Sequence, residues 1–144
     1  MTEQEILCRI AVLLGGRCAE LIMYNDVSTG ASDDIEKVSS LITNYTNSWG
    51  MNKKIGPLNP DSMGALGKQL TSEATNKCKE IVNAIEKQTI ELLKTNKKYM
   101  EGLAEDLLKN ETINYNKIKS LIPEELENSQ EIKLPEAGPK EEAD

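Results

Sequence analysis

The 144 residues suffice for one domain, and with no Phe, one Trp and four Tyr among 38% hydrophobic residues, aliphatic side chains must carry the core; a domain of this size buries roughly 68–70% of its unfolded surface. The net charge of −7 sits in the last stretch, where residues 124–144 hold eight acids against two lysines and leave −1 on residues 1–123; with no basic stripe and no interleaved aromatics, nucleic-acid binding is excluded. Three cysteines without C-x-x-C spacing argue against a disulfide framework and for reducing surroundings.

Thr2 followed by Glu5 has the form of a capping box, so a first helix is expected to start there. Ile6, Leu7, Ile10, Leu13, Leu14, Arg17, Leu21 and Ile22 continue it at helical spacing. Gly15-Gly16 lies inside the run and either breaks the helix or leaves bare backbone for a second helix to approach; the second reading is preferred. Arg17 and Glu20, three apart, are expected to form a surface pair. Asn25–Ser32 reads as a loop with Ser32 as N-cap of a second helix. That helix has Ile35, Val38, Ile42, Tyr45 and Trp49 on one stripe, and Gly50 stands at its C-terminal cap. Asp33, Asp34 and Glu36 fall in its first turn, where the helix dipole favours negative charge.

Residues 51–70, with Pro57, Pro60, Gly64 and Gly67, predict an irregular connection. The Gly67-Lys68 pair is no phosphate loop, because Ser62 and Gln69 stand where a Walker motif needs Gly and Ser or Thr. Thr71 or Ser72 is expected to cap a third helix running to about Lys94 on Ala74, Cys78, Ile81, Ile85, Thr89 and Leu92. A turn at Thr95-Asn96 leads to a fourth helix, with Tyr99, Met100, Leu103, Leu107 and Leu108, and a fifth spans Asn114 to Ile122 before Pro123. Short turns predict antiparallel neighbours. The fold expected is all-α, a bundle of four to five helices over residues 1–123, followed by an acidic disordered tail over 124–144. The acidic start lacks the basic region of a signal peptide, and the longest apolar runs fall short of the roughly 20 residues that span a bilayer.

Leu14-Gly-Gly-Arg-x-Ala-Glu20, Val27-Ser-Thr-Gly-Ala-Ser-x-Asp34, Trp49-Gly-Met51 and Ile55-Gly-Pro57 stand in one order along the chain. Together they resemble the C-terminal part of the peptidase domain of FtsH-type ATP-dependent zinc metalloproteases, over about Arg9 to Ile122. The resemblance implies that Asp34 matches the family's third zinc ligand, the other two being histidines of an HExxH helix. It further implies that Arg17, Glu20, Thr29 and Gly30 belong to the framework near that site. Leu21 stands where the family usually has a second glutamate.

The chain contains no histidine, no HExxH and no Walker motif. A catalytic zinc takes three protein ligands and keeps one position for water, so the chain alone is expected to bind no zinc and to cleave no peptide. It then reads as the C-terminal part of such a protease, inactive in isolation. The alternative is a catalytically dead helical interaction module that docks on or modulates a complete protease ring. The resemblance also implies zinc as the parent cofactor, protein substrates, a homo-oligomeric ring, and membrane anchoring of the parent through other segments. This portion would then lie on a cytoplasmic or organelle-internal soluble face.

Overall fold

The structure, a computed structural model, describes residues 1–127 and 129–135. Helix α1 (Glu3–Tyr24) runs unbroken, capped as its sequence predicts: the Thr2 hydroxyl accepts the Glu5 N–H at 3.3 Å, and the Glu5 carboxylate accepts the Thr2 N–H at 2.6 Å. Its buried face is Ile6, Leu7, Ile10, Leu14 and Cys18. The two glycines neither break it nor admit a neighbour, since a Cβ at Gly15 or Gly16 would meet nothing within 4 Å.

After Asn25, which ends α1 in the left-handed region at φ 53°, a 3-10 turn (Thr29–Ala31) leads into α2 (Ser32–Thr43). The final turn of α2 widens into a π turn over Asn44–Ser48, with the Trp49 N–H on the Asn44 carbonyl at 2.8 Å. This wider turn places both Tyr45 and Thr46 inside. Gly50 at φ +61° ends the element as expected, with Pro57 Cα only 3.1 Å from where its Cβ would stand.

The stripe of α2 differs from its sequence reading at its two ends. Ile35 and Trp49 are 44% and 45% exposed, and the inward line runs Ala31, Asp34, Val38, Ile42 and Tyr45. The π turn accounts for Trp49, because an added residue per turn rotates whatever follows it.

Residues 51–59 are irregular and a 3-10 helix spans Pro60–Leu66. Helix α3 begins at Gly67, before the predicted Thr71 or Ser72, and reaches Thr95. Gly67 is required there: a Cβ would lie 2.0 Å from the Pro60 carbonyl oxygen. Thr71 donates its hydroxyl back to the Gly67 carbonyl at 2.8 Å and caps nothing. Ala74, Ile81, Ile85 and Thr89 are buried as expected, and Ile81 and Ile85 complete one core with α1 and α2.

Helix α4 (Lys97–Asn110) follows Asn96 directly but buries none of its residues and does not pack back along α3; its neighbour is the short α5 (Tyr115–Leu121). The antiparallel α3–α4 pairing expected from the short turn is therefore absent. The fold class is all-α, with five helices and no strand among the described residues. No helix among them is long and apolar enough to cross a membrane. Residues 122–127 and 129–135 have neither helix nor strand, and Ile132 and Leu134 of the acidic tail settle against the core. Residues 136–144 lie outside the described residues.

Candidate functional site

The end of α1 and the start of α2 are tied together by Glu20. Its Oε2 accepts the Ser28 N–H at 2.8 Å and its Oε1 accepts the Ser28 hydroxyl at 2.6 Å. Ser28 Oγ in turn accepts the Gly30 N–H at 3.2 Å and so caps the 3-10 turn that carries Thr29. Ser32, expected as the N-cap of α2, is instead its first residue, and Ala31 before it supplies no side-chain cap. Two hydrogen bonds from Ser28, the hydroxyl first, hold the Glu20 carboxyl below the usual carboxylate range, with a smaller pull from Arg17.

Gly30 fits this turn closely, since a Cβ there would stand 3.3 Å from Ser28 Oγ. Glu20, Thr29 and Gly30 thus share one corner, while Arg17, close enough to favour the charge on Glu20, makes its own bond outside that corner. Its Nε faces Glu86 Oε2 of α3 at 3.3 Å, so the expected Arg17–Glu20 pair gives way to a bridge between helices. Beneath it the Cys18 thiol is pushed up to about 11, first by burial and then by the Glu86 charge. Arg17 and Glu86 also border a hollow of about 400 Å³ whose walls include Leu14, Ile35, Val38 and Val82.

The corner delivers Asp34 to the first turn of α2, on the helix face that carries Val38 and Ile42 into the core. Its side chain is half-buried and takes part in no hydrogen bond or ion pair among the described residues. Asp33, one residue earlier, is exposed on a different side. Neither aspartate lines the hollow beside Arg17.

The residues described here do not by themselves make a zinc site. Among them no group of three or more His, Cys, Asp or Glu side chains is placed to hold a metal ion, and a catalytic zinc needs three protein ligands. Ser28 and Glu86, the partners of Glu20 and Arg17, were not distinguishable in the sequence. Glu86 is 69 residues from Arg17, and Ser28 competes with two other serine or threonine residues in the same loop.

The chain is 36% identical over 142 residues to ATP-dependent zinc metalloprotease FtsH 1 of Petrotoga mobilis, covering 90% of this chain and 22% of the relative. It is 35% identical over 137 residues to the FtsH of Staphylococcus haemolyticus (85% and 19%) and 29% identical over 140 residues to that of Thermotoga maritima (88% and 23%). It spans about a fifth of the length of these curated relatives. Residues 1–121 match the family model of peptidase family M41, so that the corner bearing Asp34 lies wholly inside the matched region, and the chain belongs to peptidase family M41.

Proposed function

We propose that this chain is the C-terminal part of the peptidase domain of an FtsH-type ATP-dependent zinc metalloprotease, in which Asp34 serves as one ligand of the catalytic zinc. Arg17, Glu20, Thr29 and Gly30 frame it. The observation that carries the reading is the half-buried Asp34 carboxylate on the inward stripe of α2, unpaired among the described residues and positioned by the Glu20–Ser28–Gly30 corner. The remaining ligands and the general base would come from an HExxH helix, which this histidine-free sequence does not contain. The chain alone therefore binds no zinc tightly and hydrolyses no peptide bond. ATP hydrolysis, membrane anchoring, a homo-oligomeric ring and the degradation of protein substrates belong to the whole protease.

Metal analysis of the purified chain after zinc loading and dialysis tests this reading, together with a casein-cleavage assay. The expected result is zinc well below one per chain and no zinc-dependent cleavage. One tightly held zinc per chain, lost in Asp34→Ala, would overturn the inactivity.

A second reading is favoured by α4 and α5, which expose Leu107, Leu108 and Tyr115 and bury nothing of their own. In it the chain is a dead interaction module that docks on a complete protease ring and modulates it. Co-sedimentation with an intact FtsH-type hexamer, and its loss in Leu107→Ser/Leu108→Ser, would favour the second reading over the first.

A further inference from the structure

Residues 129–135, in neither helix nor strand, lie against α1 and α3 as a strap. Gln88 of α3 pairs with the main chain of Lys133 in both directions, its Nε2 donating to the carbonyl at 2.7 Å and its Oε1 accepting the N–H at 2.8 Å. Gln4 of α1 donates to the Ile132 carbonyl at 3.0 Å. Ile132 and Leu134 pack on the core, whereas Glu131 and Lys133 between and beside them are exposed. A groove that binds extended peptides works in this way: polar groups take the main chain, and alternate side chains enter the surface.

Among the described residues, both inward side chains leave their seats partly empty. A hollow of about 220 Å³ adjoins Ile132, walled by Cys8, Ala11, Thr89 and Leu92. Another of about 240 Å³ adjoins Leu134 and Pro135, walled by Ile81, Lys53, Lys54, Lys77 and Glu80. Lys54 and Lys77 both pair with Glu80 at 3.4 Å and Lys53 adds a third ammonium group to the lining, so among the described residues the second hollow stays positive.

Unfilled space beside apolar walls forfeits dispersion contacts, which makes the strap an imperfect occupant. Its attachment is also slight. The chain leading into it, 122–127, has no helix or strand, and that approach is fixed to α3 through the Asn96 Nδ2 bond to the Glu127 carbonyl at 2.7 Å.

We propose that the α1–α3 groove is a binding site for an extended polypeptide segment with bulky apolar side chains at two alternate positions followed by a carboxylate, and that residues 129–135 are its tethered, displaceable ligand. The main-chain pairing to Gln88 selects extended backbone. The two hollows select side chains larger than Ile and Leu, and the lysines select the acid that follows. The tether holds the strap at an effective concentration in the millimolar range, so an outside segment must fit better to displace it.

The probe is a synthetic peptide, Ser-Gln-Glu-Phe-Lys-Phe-Pro-Glu, which keeps the strap's sequence but enlarges both inward side chains. Binding is read from backbone amide NMR shifts of the full chain and of the full-length Ile132→Asp/Leu134→Asp variant, whose strap is released and whose helicity is checked by circular dichroism. The peptide is expected to shift the amides around Gln88, Cys8 and Ile81 in the variant, and to need about tenfold more peptide in the unmodified chain. Adding Gln88→Ala to the variant should weaken binding about tenfold, and a peptide ending in Lys should bind several-fold more weakly.

No shifts at about 1 mM peptide, or shifts that survive Gln88→Ala, would overturn the site. Equal binding of the unenlarged strap peptide would confine the groove to its own segment and overturn the partner class. If the double variant loses helicity, Ile132→Phe in the full chain carries the test: a raised Tm is expected, and a lowered one counts against a groove built for larger side chains.

Discussion

Glu20 grips Ser28 with both carboxylate oxygens, and through Ser28 it fixes the turn that sets the start of α2. Glu20→Ala is expected to speed hydrogen exchange at the Ser28 and Gly30 amides while leaving the centre of α3 unchanged. The pH dependence follows the same bonds. A carboxyl held below its ordinary value of 4.5 in the folded chain contributes fully above that value, and the contribution disappears as pH falls through the lower folded value. Acid should therefore reproduce the exchange pattern of Glu20→Ala locally. Exchange at Ser28 and Gly30 that is insensitive to both changes would remove Glu20 from the corner.

The glycines divide into two opposite expectations. At Gly67 a Cβ would stand 2.0 Å from the Pro60 carbonyl oxygen, with backbone on the receiving side, so Gly67→Ala should cost at least about 2–3 kcal/mol in urea denaturation. At Gly15 and Gly16 the helix is regular and a Cβ meets nothing within 4 Å, so alanine at either should stabilise by about 0.5–1 kcal/mol. A loss at Gly15 or Gly16 would mean that this face is already covered in solution.

What could be read in the sequence and what could not separates by distance along the chain. The Thr2–Glu5 box, the Gly50 cap and the apolar runs of α1 and α3 are local and appear where capping chemistry or periodicity places them, although α3 starts at Gly67, ahead of its expected cap. Ser32 has the chemistry of a cap for α2 but lies inside the helix, and the side-chain cap falls instead on Ser28 of the preceding 3-10 turn, which the carboxylate of Glu20, eight residues upstream, selects. Glu20 is the acid nearest Arg17 along the chain, and its actual partner Glu86 becomes a neighbour only when α1 meets α3. The π turn moved Trp49 off its stripe, and no local propensity announces such an insertion. Gln88 is one of several polar residues on α3 until the strap reaches it. Asp34, by contrast, stands out through the ordered motifs it shares with a family; helix-start electrostatics alone leaves it ordinary.

Thr46 is a buried hydroxyl serving two neighbours. Its Oγ1 accepts Asn52 Nδ2 at 3.3 Å and meets Cys78 Sγ at 3.1 Å, and both Thr46 and Asn52 are nearly inaccessible. Thr46→Val keeps the shape but leaves the Asn52 amide without this acceptor, so a loss of about 1–3 kcal/mol is expected in chemical denaturation. In Thr46→Val/Asn52→Leu the unpaired amide is gone, and the second substitution should restore part of the loss. Additive losses would place the polar trio outside the cause.

Alkali should destabilise the fold through Cys18 before Tyr45. Burial and the Glu86 charge raise Cys18 from 9.0 to about 11, and burial followed by the Glu3 charge raises Tyr45 from 10.0 to about 12. Each group contributes fully below its unfolded value and loses that contribution as pH rises through the folded one. Stability should therefore fall from about pH 9 to 11 through Cys18, and further towards 12 through Tyr45. Cys18→Ala should remove the first phase at the cost of a cavity, while exposed Cys8 alkylates readily and buried Cys18 does not. Rapid alkylation of Cys18 at neutral pH would contradict its burial.

Asp34 offers a test that separates a functional carboxylate from a structural one without any activity assay. It occupies the inward stripe of α2 between Ala31 and Val38, where an apolar side chain would extend the core, and it is unpaired among the described residues. Against that, its charge lies in the first helical turn, where the dipole favours it by about 0.3–1 kcal/mol. Asp33 remains in the same turn to supply most of that effect. Leucine also has the better helix propensity, and half-burying it gains about 1 kcal/mol. Asp34→Leu should therefore leave the stability of the isolated chain unchanged or raise it by up to about 1 kcal/mol, the pattern of a residue retained for what it binds and not for folding. Urea denaturation of the two chains decides it. A loss greater than about 1 kcal/mol would make Asp34 a structural residue and withdraw the main support for its role as a metal ligand.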